Sequence, residues 1–104
     1  MADRNSQIER CAAYSAALAP RIVDGLSITE LAQKCGQSKP VVCRDMADME
    51  KAGWAQKLDN GRWALSTKII AISTACDLAL KTARERQDDF RRNVKAGAFR
   101  LLGE

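Results

Sequence analysis

Histidine is absent from this chain of 104 residues. That removes imidazole acid–base chemistry and every His-containing metal site at once. The four cysteines, Cys11, Cys35, Cys43 and Cys76, include no Cys-x-x-Cys pair, which excludes a zinc ribbon and a thioredoxin-like motif. Scattered along helical segments among apolar neighbours, they read as small buried thiols in a reducing compartment. No glycine-rich phosphate loop and no Ser or Cys nucleophile motif is present, and the acid pair Asp88-Asp89 falls on a polar helix face. Neither an enzyme nor a bound metal or cofactor is expected. No charged-then-apolar leader opens the chain, and no stretch approaches the roughly twenty apolar residues of a membrane helix. A cytoplasmic protein without a membrane partner is the expectation.

Aromatic residues are scarce at 5%, which leaves Leu, Ile, Val, Met and Ala to build the core. Apolar residues make up 46% and charged residues 29%, a balance typical of a folded chain rather than a disordered one. The length allows one modest core and no large enclosed substrate cavity. Lys and Arg number 17 against 13 acids, a net charge of +4. This mild excess is compatible with a polyanion partner without demanding one.

Residues 1–5 are polar and read as frayed. From Ser6 the pattern is helical, with Ile8, Cys11, Ala12, Ser15 and Leu18 on one face, and Pro20 ending or kinking the helix. A short turn over 21–25 is expected to point Ile22 inward. Ser27-Ile28-Thr29-Glu30 has the capping-box form and opens a helix to Cys35 that buries Ile28, Leu31 and Ala32, with Gly36 as a left-handed cap. Ser38 caps a third helix, Pro40 occupies its first turn, and the helix runs to about Ala52, where Gly53 stops it. Its apolar face is Val42, Met46 and Met49. Two short extended stretches follow, 54–58 and 62–65, around Asp59-Asn60-Gly61, and Asn-Gly is a strong hairpin signal because both residues tolerate positive φ. Ser66 then caps a long helix reaching about Lys95.

The order helix, helix, glycine-containing turn, helix, hairpin describes a winged helix-turn-helix. The expected fold is therefore mostly α with a small β-hairpin wing, a winged helix-turn-helix followed by a long C-terminal helix. A DNA-binding unit over 1–65 precedes a dimerisation helix over 66–104. In the DNA reading the third helix enters the major groove of double-stranded DNA. With Val42, Met46 and Met49 inward, its outward residues are Pro40, Val41, Arg44, Ala47, Asp48 and Lys51. Arg44, central on that face, is suited to donate two parallel hydrogen bonds to guanine, and Ser38, Lys39 and the first-turn amides to hold phosphate. The plainer alternative pairs Arg44 with Asp48 four residues on, and the base contact is preferred. Asp48 itself is suited to cytosine N4 or to holding Arg44. Lys57, Asn60 and Arg62 form a polar wing tip that lies on DNA or is simply solvated. Trp63 is expected to pack inward.

The run Leu26-Ser27-Ile28-Thr29-Glu30-Leu31-Ala32-Gln33-Lys34-Cys35-Gly36 resembles the helix-turn-helix opening of IclR-type transcriptional regulators. The resemblance continues through Lys39, Val42, Arg44 and Glu50-Lys51-Ala52-Gly53-Trp54, into the wing Asp59-Asn60-Gly61-Arg62-Trp63-Ala64-Leu65 and the linker-like Lys68-Ile69-Ile70-Ala71-Ile72. It implies sequence-specific DNA binding with Lys39 and Arg44 on the recognition helix. Three positions depart from the family pattern: Pro40 replaces Ser or Thr, Asp45 an apolar residue, and Cys43 a frequent His. No effector domain follows the linker helix, so no small-molecule effector is expected.

From Ile69, steps of four and three give Ser73, Cys76, Leu80, Ala83, Gln87, Phe90 and Val94, a heptad-like seam that Gly97 is expected to break. Either it folds back on the first helix or it joins two chains, and a homodimer through Leu80, Ala83, Gln87, Phe90 and Val94 is preferred. Its far end carries Arg84, Arg86, Arg91, Arg92, Lys95 and Arg100 against Glu85, Asp88 and Asp89. The expected function is transcriptional regulation by occupancy of a site. The rival readings are a winged helix that binds protein within a larger assembly and a packaging protein indifferent to sequence.

Overall fold

Ser-x-x-Glu capping boxes start the first two helices. In the computed structural model, which describes residues 6–103, the Ser6 hydroxyl accepts from the Glu9 amide at 3.2 Å, and the Glu9 carboxylate accepts from the Ser6 amide at 2.8 Å. Together they open helix α1 (Gln7–Leu18). Ser27 and Glu30 repeat the arrangement at 3.1 and 2.9 Å to open α2 (Ile28–Cys35). Each box satisfies two amides that a helix start otherwise leaves without partners. Pro20 does end α1, and a single 3-10 turn covers Ala19–Arg21. The expected fraying of residues 1–5 lies outside the described residues.

Gly36, at φ 65°, caps α2 in the left-handed conformation, and α3 (Lys39–Lys51) begins three residues later, with Ser38 at its cap position. Pro40 sits in the first turn of α3 as expected. Ser38 occupies the cap position, but its hydroxyl makes no capping bond to the helix, in contrast to Ser6 and Ser27.

A hairpin follows, with β1 (Ala55–Lys57) antiparallel to β2 (Trp63–Leu65) and Lys57 paired with Trp63. Its turn differs from the one the Asn-Gly signal predicts. Among the described residues none other than glycine has positive φ, so Asn60 is not left-handed, whereas Gly61 is, at 83°. The Gly61 amide donates to Leu58 and the Leu58 amide to Arg62, which makes a longer loop with the bulge residue at Gly61. On its other edge β2 bridges to Leu26, each residue donating to the other at 2.8 Å between Leu26 and Trp63. Gly25 permits this approach: a Cβ there would lie 2.5 Å from the Trp63 carbonyl oxygen, and its φ is 73°.

Tyr14, Leu18, Leu26, Leu31, Val42 and Met46 are fully buried at the centre, ringed by Ala32, Met49, Ala55, Trp63 and Leu65. Each buried Leu, Val or Met contributes about 1.5–3 kcal/mol. Ile28, Cys11, Cys35 and Ile69 pack against the edge of this core. The inward face of α1 is therefore Cys11, Tyr14 and Leu18, while Ile8 (82% exposed) and Ala12 face outward. The single aromatic of α1 displaced the aliphatic register because Tyr14 brings a hydroxyl that finds a buried partner. Ile22 is also exposed rather than inward, lying just past the 3-10 turn that Pro20 imposes.

The last helix, α4 (Thr67–Leu101), continues through Gly97 instead of breaking there. One glycine between Ala96 and Ala98 costs only about 1 kcal/mol, too little to interrupt a long helix. The Ser66 hydroxyl donates to the Gly53 carbonyl. The chain groups into two units, one ending at Ile70 and one beginning at Ala71. None of the described residues 71–103 is buried. Cys76 and Cys43 are exposed free thiols, against the expectation of four buried ones, because both fall on faces that meet no core. No helix among the described residues is long and apolar enough to cross a membrane.

Candidate nucleic-acid interface

The position of α3 is set from behind by a carboxylate. Asp45 lies one helical turn from Val42 and Met49, on the inward stripe of α3, and is fully buried. A carboxylate in that place needs partners, since burial alone strongly disfavours its charge. Three residues of α1 supply them. Arg10 reaches Asp45 through Nε at 2.7 Å and Nη2 at 3.0 Å, the Tyr14 hydroxyl donates at 2.7 Å, and Gln7 donates at 3.2 Å. Burial pushes the Asp45 carboxyl upward, but the bonds from Arg10, Tyr14 and Gln7 outweigh it, and the net result is a pKa below the ordinary carboxylate value. Burial and the bond to Asp45 push the Tyr14 phenol up, and the same carboxylate raises the Arg10 guanidinium.

This cluster is a structural clasp that the reading of the sequence did not find, although Asp45 stood out as a departure from the IclR-type pattern. Its signal was there: an acid in register with Val42, Met46 and Met49, and polar residues Gln7, Arg10 and Tyr14 at helical spacing on α1.

The outward side of α3 presents the expected residues. Lys39, Pro40, Arg44, Ala47, Asp48 and Lys51 are exposed, and Val41 is half-buried. Lys39, Arg44 and Lys51 have no hydrogen-bond or ion-pair partner among the described residues. The Arg44–Asp48 pair weighed from the sequence does not form. Asp48 instead accepts a hydrogen bond from Gln7 at 2.6 Å, so the amide of Gln7 bridges two carboxylates of α3. The uncapped start of α3 adds Ser38 and backbone amides beside Lys39. Such a helix start favours an anion.

The hairpin tip divides differently from the sequence reading. Lys57 is exposed, with its ammonium 5.9 Å from the centre of the Trp63 ring. The Asn60 side-chain oxygen accepts from the Arg62 amide, stiffening the loop. Arg62 is turned back into the fold, donating to the carbonyls of Asp24 and Gly25 and to the Glu30 carboxylate. Its guanidinium joins hairpin to α2 rather than extending the cationic tip. Trp63 packs inward as expected.

One apolar recess of about 250 Å³ lies on α1, lined by Gln7, Ile8, Cys11, Ala12 and Trp54. Burial raises the Cys11 thiol there. Among the described residues no group of three or more Cys, Asp or Glu is placed to hold a metal ion. The chain matches no family model, and no curated protein matches it.

Proposed function

We propose that this protein is a sequence-specific double-stranded DNA-binding regulator built on a winged helix-turn-helix, with α3 as the recognition helix and the hairpin as the wing. One observation carries the reading. Arg10 and Arg62 are both bonded to carboxylates, whereas Lys39, Arg44 and Lys51 stand along one exposed helix without a partner among the described residues. Unpaired cations on a helix that fits a major groove are what phosphate and guanine contacts require. The order of elements, the left-handed turn at Gly36 and the bridge from Leu26 to the hairpin support the same reading.

In this reading Arg44 contacts a base edge, Lys39, Lys51, Ser38 and the first-turn amides hold phosphate, and Lys57 with Asn60 approaches the backbone from the wing. Pro40 and Val41 offer apolar contact, and Asp48 is held aside by Gln7. Arg62 acts by fixing the hairpin. In this reading the protein acts by occupying its site. It works as a homodimer through the exposed α4 residues Leu80, Ala83, Gln87, Phe90 and Val94, two copies doubling the base contacts available to one small recognition helix.

The test is selection of bound duplexes from a random pool at near-physiological salt, with Arg44→Ala in parallel. The expected outcome is a shared motif, and a loss of about 1–3 kcal/mol on that site with relaxed preference at one base pair in the variant. Retained, salt-sensitive binding without a motif assigns the protein to packaging. A second reading, a protein-binding module, is favoured by the apolar recess beside Ile8 and Trp54, and failure to retain any duplex selects it.

A further inference from the structure

Because α4 runs unbroken through Gly97, the seam does not stop at Val94. The same steps of three and four carry it to Gly97 and Leu101. Along this line Leu80 is 64% exposed, Phe90 67% and Val94 55%, so an extended apolar face has no cover within its own unit. We infer that its cover is a second copy of α4 running in the opposite direction, with the twofold axis crossing the seam between Ala83 and Gln87. This deepens the homodimer of the reading above and rests on it, but not on DNA binding.

The argument is one of fit. In heptad terms Ser73, Leu80, Gln87 and Val94 take one core position, and Cys76, Ala83, Phe90 and Gly97 take the other. A parallel, in-register pair stacks every residue on its own copy. Ala83 on Ala83 and Gly97 on Gly97 then leave gaps on either side of a crowded Phe90 pair. The flanking positions of that pair also set Arg86 against Arg91 of the other copy, twice. Like charges directly opposed are unfavourable.

The antiparallel pair matches each residue with a different one. Leu80 meets Phe90 of the other copy, and Cys76 meets Val94, so large apolar groups face apolar groups. The two polar interruptions, Gln87 and Ser73, fall opposite the two smallest residues, Ala83 and Gly97, which leaves them room. On the flank Asp77 comes level with Arg91 of the other copy, twice by symmetry. Arg84 and Arg86 meet their own copies near the axis, where Asp88, one turn beyond Arg84, offsets part of that repulsion, while Asp89 is taken by Arg92. The pairing is isologous, as a closed dimer demands.

The test uses the full chain carrying Cys43→Ser, which removes the exposed thiol outside α4, with and without Val94→Cys. Each protein is treated with a short bismaleimide at low micromolar concentration. Light scattering gives the mass, and linked peptides are identified by mass spectrometry. The expected result is a dimeric mass for both, no Cys76-to-Cys76 link without the substitution, and a dominant link between residues 76 and 94 with it. In the antiparallel pair the two Cys76 residues are offset by the rise from 76 to 94, about 27 Å at 1.5 Å per residue, beyond the reagent. A Cys76-to-Cys76 link in both proteins overturns the orientation and leaves the homodimer standing. A dimeric mass with neither link overturns this register. A monomeric mass overturns the homodimer itself, whatever the selection experiment shows for DNA. Circular dichroism confirms that the variants keep their helices.

Discussion

Up to Ile70 the chain buries the apolar side of each helix in turn; from Ala71 to Gly103 it buries nothing. The two parts hold their form for different reasons. In the first, helices of eight to thirteen residues are too short to stand in water, and their stability comes from a shared core around Leu31, Met46 and Tyr14. In the second, the helix that runs on from Thr67 is sustained by length and by a composition in which Ala and Arg are the commonest residues. Its apolar residues have no core within their own unit. A residue type therefore means different things in the two parts: leucine builds a core before Ile70 and is exposed after it.

That contrast is most directly broken by matched substitutions. Leu31→Ala removes a fully buried side chain and should cost about 2–5 kcal/mol. Leu80→Ala, at dilutions where the chain is monomeric, should cost less than about 0.5 kcal/mol. Urea unfolding of both variants at low concentration measures the pair. An equal loss at the two sites would mean that α4 is covered within its own chain.

The buried polar clasp sharpens the same contrast, because among the described residues only those of the first unit hold a charge away from water. Tyr14→Phe removes one donor to Asp45 and should cost about 1.5–3 kcal/mol. It should also reshape the pH profile. Asp45 has a folded pKa below its ordinary 3.8, so its contribution is present above about pH 5 and is lost as pH falls through that lower value. Tyr14 is raised above its ordinary 10.0, so its contribution is complete below pH 10 and lost as pH rises beyond it. The Tyr14→Phe variant should therefore have a shallower acid limb and a flatter alkaline limb above pH 10. Thermal melts across pH 2–11 provide the check.

Much of this was legible in the residues. The Ser27-x-x-Glu30 box, Gly36, Pro20 and the Asn-Gly hairpin are local signals, and local chemistry placed the elements within a few residues; the matching box at Ser6 and Glu9 came only with the structure. The stripe Val42, Met46 and Met49 also followed from spacing alone. What was not legible depended on residues far apart in the chain. The inward turn of α1 was set by Asp45, more than thirty residues away, which drew Tyr14 and Arg10 in and left Ile8 outside. Arg62 looked like a free wing cation because nothing nearby revealed that Glu30 and the carbonyls of Asp24 and Gly25 would receive it. The outward face of α3 was readable since it is defined by what it does not touch.

The smallest expected effect separates α2 from α3. Both helices begin at a serine with extended backbone, at Ser27 and Ser38. Ser27 caps its helix and is capped in return by Glu30, so Ser27→Ala should cost about 1 kcal/mol. Ser38 makes no such bond, and position 41, where an acid would complete the box, is Val41. Ser38→Ala should therefore change stability by no more than a few tenths of a kcal/mol. If its hydroxyl and the neighbouring amides serve phosphate, the same variant should bind duplex DNA more weakly on every sequence, with the motif unchanged. Parallel urea melts and DNA titrations of the two alanine variants give the answer. Loss of stability without loss of binding at Ser38 would return α3 to an ordinary capped helix and remove the helix start from the interface.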